Sequence, residues 1–470
     1  MGGREGGHQH VSAPSLKPWA VGTRLATHYR SDPLSRGGLA LLVNTGLTGA
    51  LGFAYWIMAA HLFPTYAVGV AGALVAATTL LSGIGQLNLS GMLMRFLPRA
   101  GERSRRLVVM TYAFTASVSA FLAAISLLVI RMFAPQTSPL HLNVVQFAAF
   151  VGAVAVTAIF AIEDSVLVGL RRAVWVPVEN GTFGLAKIGM LFVLAPVGTA
   201  FALFSSWMIP VALTIPVISV VLFYRFLPPP SKPRATRVRS EVRSIIVRFA
   251  IGDATGGLFT QAWTYLVPVL ITASLGARMN ALYFTSFLFS STVDQVAANY
   301  ASPLTVEGAH APNEITTLIQ HTLRRIFVII LPAVALLIAM SPLLLRAFGE
   351  KYVGATPLLC LLLVACIPKA VSTVYYACCR VQRKTQRSAV MQACVCVATL
   401  SAVILLAPSF GLISVGLAVL SIQSSAGVVS WLALRKVLRD VERGGTRRGR
   451  HRRSRGAQST TGIRFPVTEG

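Results

Sequence analysis

The sequence predicts an all-α polytopic membrane protein, with about twelve transmembrane helices in two six-helix lobes. Three observations lead there. Of its 470 residues, 54% are hydrophobic and 12% charged, with mean hydropathy +0.68; soluble domains carry about 25% charged residues. The apolar residues fall in runs of about 20 or more, each enough to cross about 30 Å of hydrocarbon as a helix. Finally, Lys and Arg alternate loop by loop between a basic and a nearly neutral side.

Residues 1–36 form a polar tail, expected to be disordered and cytoplasmic. Residues 1–35 lack an apolar stretch with a cleavage site, so the first span is expected to act as the insertion signal. The N-lobe, 37–226, holds spans at 38–60, 67–93, 107–130, 144–169, 174–196 and 200–225. Residues 227–244 are a linker containing PPPSKPRATRVRSEVR (Pro228–Arg243), whose prolines stop a helix and whose basic groups cannot sit in hydrocarbon. The C-lobe, 245–434, holds spans at 245–273, 279–301, 326–345, 355–378, 388–407 and 411–434. Residues 435–470 are a basic tail carrying RRGRHRRSR (Arg447–Arg455), suited to anionic membrane lipid.

Of the 42 Lys and Arg residues, 36 fall on the side of the two tails, four on the other (Arg131, Arg278, Arg346 and Lys351), and two, Lys187 and Lys369, inside spans. By the positive-inside rule both termini are cytoplasmic, in the cell membrane. The net charge of +27 is spread over these loops and tails, so no nucleic-acid partner is expected. The loops on the other side are short, leaving no room for an external catalytic domain. The six cysteines (Cys360, Cys366, Cys378, Cys379, Cys394 and Cys396) show no metal-ligand spacing, and their expected role is small apolar packing. No metal or cofactor is expected.

The lobes echo one another. At an offset of 207, Thr48, Gly49, Leu51, Trp56, Thr65, Gly69, Thr78 and Leu81 match Thr255, Gly256, Leu258, Trp263, Thr272, Gly276, Thr285 and Leu288. This pairs span 1 with span 7 and span 2 with span 8. Even-numbered halves repeat in parallel about an axis along the membrane normal, a build in which transporters hold substrate between lobes.

Charges inside spans usually face a cavity or a partner. Lys187 and Lys369 sit near the midplane, one per lobe, and with Asn44 and Gln261 are the candidates for an anion-binding cavity. Asp253, Asp294, Glu179, Glu163 and Asp164 are the acidic candidates, as a cavity rim or as carriers of a coupling proton or Na+. Glu163, Asp164 and Glu179 are also shallow enough to pair with Arg171 and Arg172.

Three stretches carry a family resemblance: LLSGIGQLNLSGMLMRFLPRAG (Leu80–Gly101), EDSVLVGLRRAVWVPVENGTFGLAKIGMLFVL (Glu163–Leu194) and RFAIGDATGGLFTQAWTYLVPVLITASLGARMNALYF (Arg248–Phe284). They resemble the polysaccharide transporter, or lipid-linked oligosaccharide flippase, family of the multidrug/oligosaccharidyl-lipid/polysaccharide (MOP) exporter superfamily, over roughly Arg36–Leu434. The resemblance implies a V of two six-helix lobes. It also implies alternating access that carries a polyprenyl-diphosphate-linked glycan across the bacterial cytoplasmic membrane, alongside cell-envelope glycan assembly proteins. Lysines would hold the diphosphate as point charges. The alternative is a cation-coupled multidrug efflux transporter of the same fold. A membrane-embedded enzyme is disfavoured because the outer loops carry only Glu350 among acids. A non-transporting scaffold would leave the intramembrane charges without a role.

Overall fold

The computed structural model describes residues 33–87, 89–133, 142–227, 255–310, 315–382 and 384–458. Residues 1–32, the Pro228–Arg243 linker and Asp253 lie outside them, while 33–36 of the expected tail already belong to the first helix. The main helices are α1 Pro33–Leu62, α2 Thr65–Gln86, α3 Leu89–Phe96, α4 Ser104–Phe133, α5 Val144–Gly169, α6 Trp175–Leu194 and α7 Ala200–Val221. After the linker come α8 Thr255–Ser274, α9 Ala277–His310, α10 Ile315–Ala339, α11 Ser341–Arg346, α12 Thr356–Val381 and α13 Thr385–Gln458.

Among the described residues, eight helical stretches are long and apolar enough to cross a membrane. One, Thr385–Arg439, lies within α13, which breaks at Gly411 (φ 71°, ψ −165°) into two arms each long enough to cross. The positive φ is one that glycine adopts at no steric cost. Helices α1, α8 and α9, with 30, 20 and 34 residues, are long enough for the remaining crossings. This is a multi-pass, all-helical membrane protein.

Local chemistry sets the helix ends. Asn143 caps α5: its side chain accepts from the Gln146 N–H at 2.9 Å, while Gln146 accepts from the Asn143 N–H at 3.1 Å. The Thr199 hydroxyl accepts from Ala202 N–H and starts α7. Buried hydroxyls satisfy themselves on carbonyls one turn back, as in Thr111 to Leu107 and Thr285 to Ala281. That suits a solvent that offers no hydrogen bonds. The outward faces are apolar, with Val145 and Phe410 more than 70% exposed for lipid to cover.

Some boundaries differ from the sequence expectation. The second span divides, because Leu87 takes a left-handed turn (φ 44°) and α3 sets off as a separate short helix. Helix α10 begins at Ile315, well before 326, because Ile315, Ile319, Leu323, Ile326 and Ile330 form one buried stripe. Arg324 and Arg325 stand exposed beside it and hide it from a hydropathy reading. Helix α13 continues to Gln458, through the RRGRHRRSR stretch.

Helices α1 to α7 pack among themselves, as do α8 to α13, and α2 joins the two groups through contacts with α8 and α9. Because the helices cross alternately, the turns gather at two ends. A basic end carries the turns around Arg103, Arg172 and Lys384; a neutral end carries those around Pro64, Gly198, Gly276 and Gly411.

Candidate functional site

A cavity of about 530 Å³ lies between the two groups of helices. Helices α1, α2 and α7 contribute Trp56, Thr79 and Trp207; the remaining wall comes from α8, α9, α12 and α13. Three indoles line it: Trp56, Trp207 and Trp263. Between them stand neutral polar groups, among them Thr260, Gln295, Gln392 and Gln423. One face of α12 supplies Lys369, Ser372, Thr373, Tyr376 and Arg380. The spacing i, i+3, i+4, i+7, i+11 puts all five on one side of a helix.

Lys369 is half of an ion pair. Its Nζ donates to Asp294 Oδ2 at 2.6 Å, the side chains being 21% and 22% exposed, and lies 4.7 Å over the Trp263 ring. Asp294, Lys369 and Arg380 are the charged groups among the described wall residues. The wall therefore carries one carboxylate against two cations.

Lys187 is placed differently. It is 4% exposed, and its Nζ lies 3.8 Å over Trp207, 5.0 Å over Phe183 and 5.4 Å over Tyr55. The Tyr55 hydroxyl and Ser206 Oγ are 2.7 Å apart, which fixes the ring. Trp207 is also on the cavity wall, but Lys187 is not. The two lysines thus do not face each other across one space.

The three N-lobe acids gather near the basic end, away from that wall. Ser219 on α7 donates to Glu163 at 2.7 Å. Asn180 on α6 donates to both oxygens of Asp164, at 3.1 and 3.3 Å. The Glu179 carboxyl faces that of Glu163, beside the Tyr112 hydroxyl. Neither Glu179 oxygen reaches good hydrogen-bond geometry, and Glu163 and Glu179 are fully buried. Arg172 lies 5.1 Å over the Phe226 ring. Two carboxyls that face each other in apolar surroundings repel when both are charged.

Gln261 packs against Gly83 of α2, on the seam between the helix groups. Asn44 lies on α1, with its amide oxygen buried and unpartnered. Asp253 falls outside the described residues. The sequence reading did not single out the indoles or Arg380. A signal for two of them existed: Trp56 and Trp263 are partners in the 207-residue echo, and both reach the wall.

No protein-family model matches the chain, and no curated protein matches it. Solved structures do. One, described as the inward-facing conformation of a multidrug resistance MATE family transporter of the MOP superfamily, matches with TM-score 0.66 at 15% identity, over 86% of this chain and 99% of that one. The outward-facing conformation of a transporter so described matches with TM-score 0.60 at 14% identity, over 88% and 98%. A MOP superfamily transporter from Pyrococcus furiosus, whose binding pocket of reverse polarity is described as suggesting a different function, matches with TM-score 0.60 at 15% identity, over 88% and 98%. The chain therefore has the fold of the MATE transporters of the MOP superfamily.

Proposed function

We propose that the chain is a secondary transporter that carries a sugar-bearing anionic lipid, a polyprenyl-diphosphate-linked glycan, across the cytoplasmic membrane through the central cavity. The observation that supports this most is the charge on the wall. Its carboxylate, Asp294, is already held by Lys369, and Arg380 adds a second cation. A cationic drug would find no free acid there among the described residues. A diphosphate would find Arg380 and, by displacing Asp294, Lys369 as well. The indole faces and neutral amides suit sugar rings, whose C–H faces pack on aromatics while their hydroxyls need hydrogen bonds.

In this reading Glu163, Glu179 and Asp164 carry the coupling ion, a proton or Na+, and the basic end faces the cytoplasm. The test is deletion of the gene followed by mass spectrometry of the lipid extract. A polyprenyl-diphosphate glycan should accumulate, and wild type but not Lys369→Gln should reverse the accumulation. Normal lipid in the deletion strain would sink the reading.

The comparisons favour a second reading, cation-coupled multidrug efflux, because the transporters named for their function are multidrug MATE proteins. The Pyrococcus furiosus protein supports the first reading's premise that pocket charge varies within this fold, since its pocket polarity is described as reversed. Whole-cell dye efflux separates the two: efflux lost on deletion, with no lipid accumulation, supports the second.

A further inference from the structure

Towards the neutral end the two helix groups come closest between α2 and α9, beside ring contacts from Phe53 and Trp56 of α1 to Phe289 and Phe284 of α9. Gly69 sits in the first turns of α2, and a Cβ there would overlap the Ala277 carbonyl of α9. The Asn280 amide, fully buried, donates to the Gly69 carbonyl at 2.7 Å. That carbonyl belongs to a helix interior and already has a ladder partner, so the bond is an addition between lobes rather than a repair of a helix end. One turn along, Gly72 faces Phe284, whose ring carbons would lie 3.0–3.2 Å from a Cβ. Phe284 in turn meets Trp56 edge-on at 4.6 Å, on the cavity wall. Two glycines at i and i+3 thus receive Ala277, Asn280 and Phe284, spaced i, i+3 and i+7 on the facing helix. Small residues let backbones approach this closely, and a polar side chain then specifies the register.

We propose that this contact is a latch. Asn280, bound to the Gly69 carbonyl over a glycine surface, holds the neutral-end gate shut while the cavity serves the basic end. The proposal rests on the transporter reading, because only alternating access requires the contact to part. A buried amide suits the task. On opening, water reaches Asn280 and replaces the Gly69 carbonyl, so the bond is exchanged rather than lost. The gate can then open without a large barrier, which a purely apolar interlock of equal area would not allow.

The test is a distance measurement that needs no substrate. Exposed Pro64 and Arg278 flank the contact; each is replaced by Cys and spin-labelled, in a chain whose six native cysteines have been replaced. Pulsed electron paramagnetic resonance in nanodiscs should give one short-distance population for this background. Gly69→Ala wedges the backbones, and Asn280→Ala removes the bond. Each should add a longer-distance population, larger for Gly69→Ala. If Gly69→Ala fails to insert, Asn280→Ala decides alone. An unchanged distribution in Asn280→Ala overturns the latch, even if Gly69→Ala shifts, since the effect would then be steric only. A shift in Asn280→Ala together with normal lipid and normal dye efflux in the deletion strain would keep the bond as the closure of the neutral end and discard both substrates considered above.

Discussion

Lys187 and Lys369 are the same residue at similar depth in different lobes, and their surroundings differ in kind. Lys187 is ringed by Trp207, Phe183 and Tyr55. Lys369 has one ring, Trp263, and a carboxylate at 2.6 Å. Aromatic faces offer an ammonium a diffuse attraction that no small ion can displace. A carboxylate offers a localised one that a competing anion can take over. The N-lobe therefore insulates its lysine, and the C-lobe presents its lysine on an ion pair that a substrate anion could exchange.

The largest expected effect breaks this contrast directly. Lys369→Gln strands Asp294 and removes a cation from the proposed anion site. Losing one partner of a half-buried pair costs about 2 kcal/mol, or about thirtyfold in affinity. Lys187→Gln removes no ligand contact and should leave affinity within about twofold, since its cation–π attractions stabilise packing instead. Binding of undecaprenyl diphosphate to purified protein, followed by tryptophan quenching, measures both. Equal losses would erase the distinction between the lysines. The exchange Asp294→Lys with Lys369→Asp sharpens it further. Thermal stability should return, because the pair is rebuilt, while affinity stays low, because the cation has moved from α12 to α9.

Next in size are the acids of the N-lobe, which the C-lobe wall does not match. Glu163→Gln and Glu179→Gln each remove one of the two facing carboxyls. Each should abolish the response of transport to an imposed proton or Na+ gradient in proteoliposomes, leaving binding intact. Asp164→Asn should do less, since Asn180 already holds that carboxylate. Unaltered gradient dependence in both Glu variants would make the cluster a packing feature.

How much of this was legible in the sequence follows from what each feature depends on. Crossings depend on local composition and on the alternation of basic loops, so spans such as 144–169 appear in the structure as α5 with the same bounds. The face from Lys369 to Arg380 lies on a single helix, and its spacing could have been read. The turn at Leu87 was not read, because the residue that takes the positive φ is a leucine, while the nearby Gly83 and Gly85 stay inside the helix. The start of α10 was hidden by Arg324 and Arg325, which stand beside a buried stripe rather than at its end. The environment of Lys187 comes from Tyr55 and Trp207 on two other helices, and Asp294 is 75 residues from Lys369. Depth along a helix is a property of one segment and can be estimated from spacing. The direction a charge faces depends on neighbours that only tertiary packing brings together.

The smallest effects compare how firmly each lysine's helix is supported. Gly184 lies one turn from Lys187, and a Cβ there would come within 2.5 Å of the Leu51 Cδ1 methyl. That methyl is the end of a side chain with rotamer freedom, and it can move aside. Gly427 of α13 lies against Pro368, the residue before Lys369. A Cβ there would come within 2.7 Å of the Pro368 ring and 2.9 Å of its carbonyl oxygen. Neither can rotate away, so α12 must shift as a whole, and it carries Lys369 with it. Overpacking against a fixed backbone costs about 1–3 kcal/mol, so Gly427→Ala should destabilise by that much and Gly184→Ala by less. Thermal unfolding in detergent orders the two. Gly427→Ala should also weaken undecaprenyl diphosphate binding, because the Lys369–Asp294 geometry depends on where α12 stands. If it destabilises without touching affinity, the ion pair tolerates movement of its helix, and the C-lobe site is softer than a 2.6 Å contact implies.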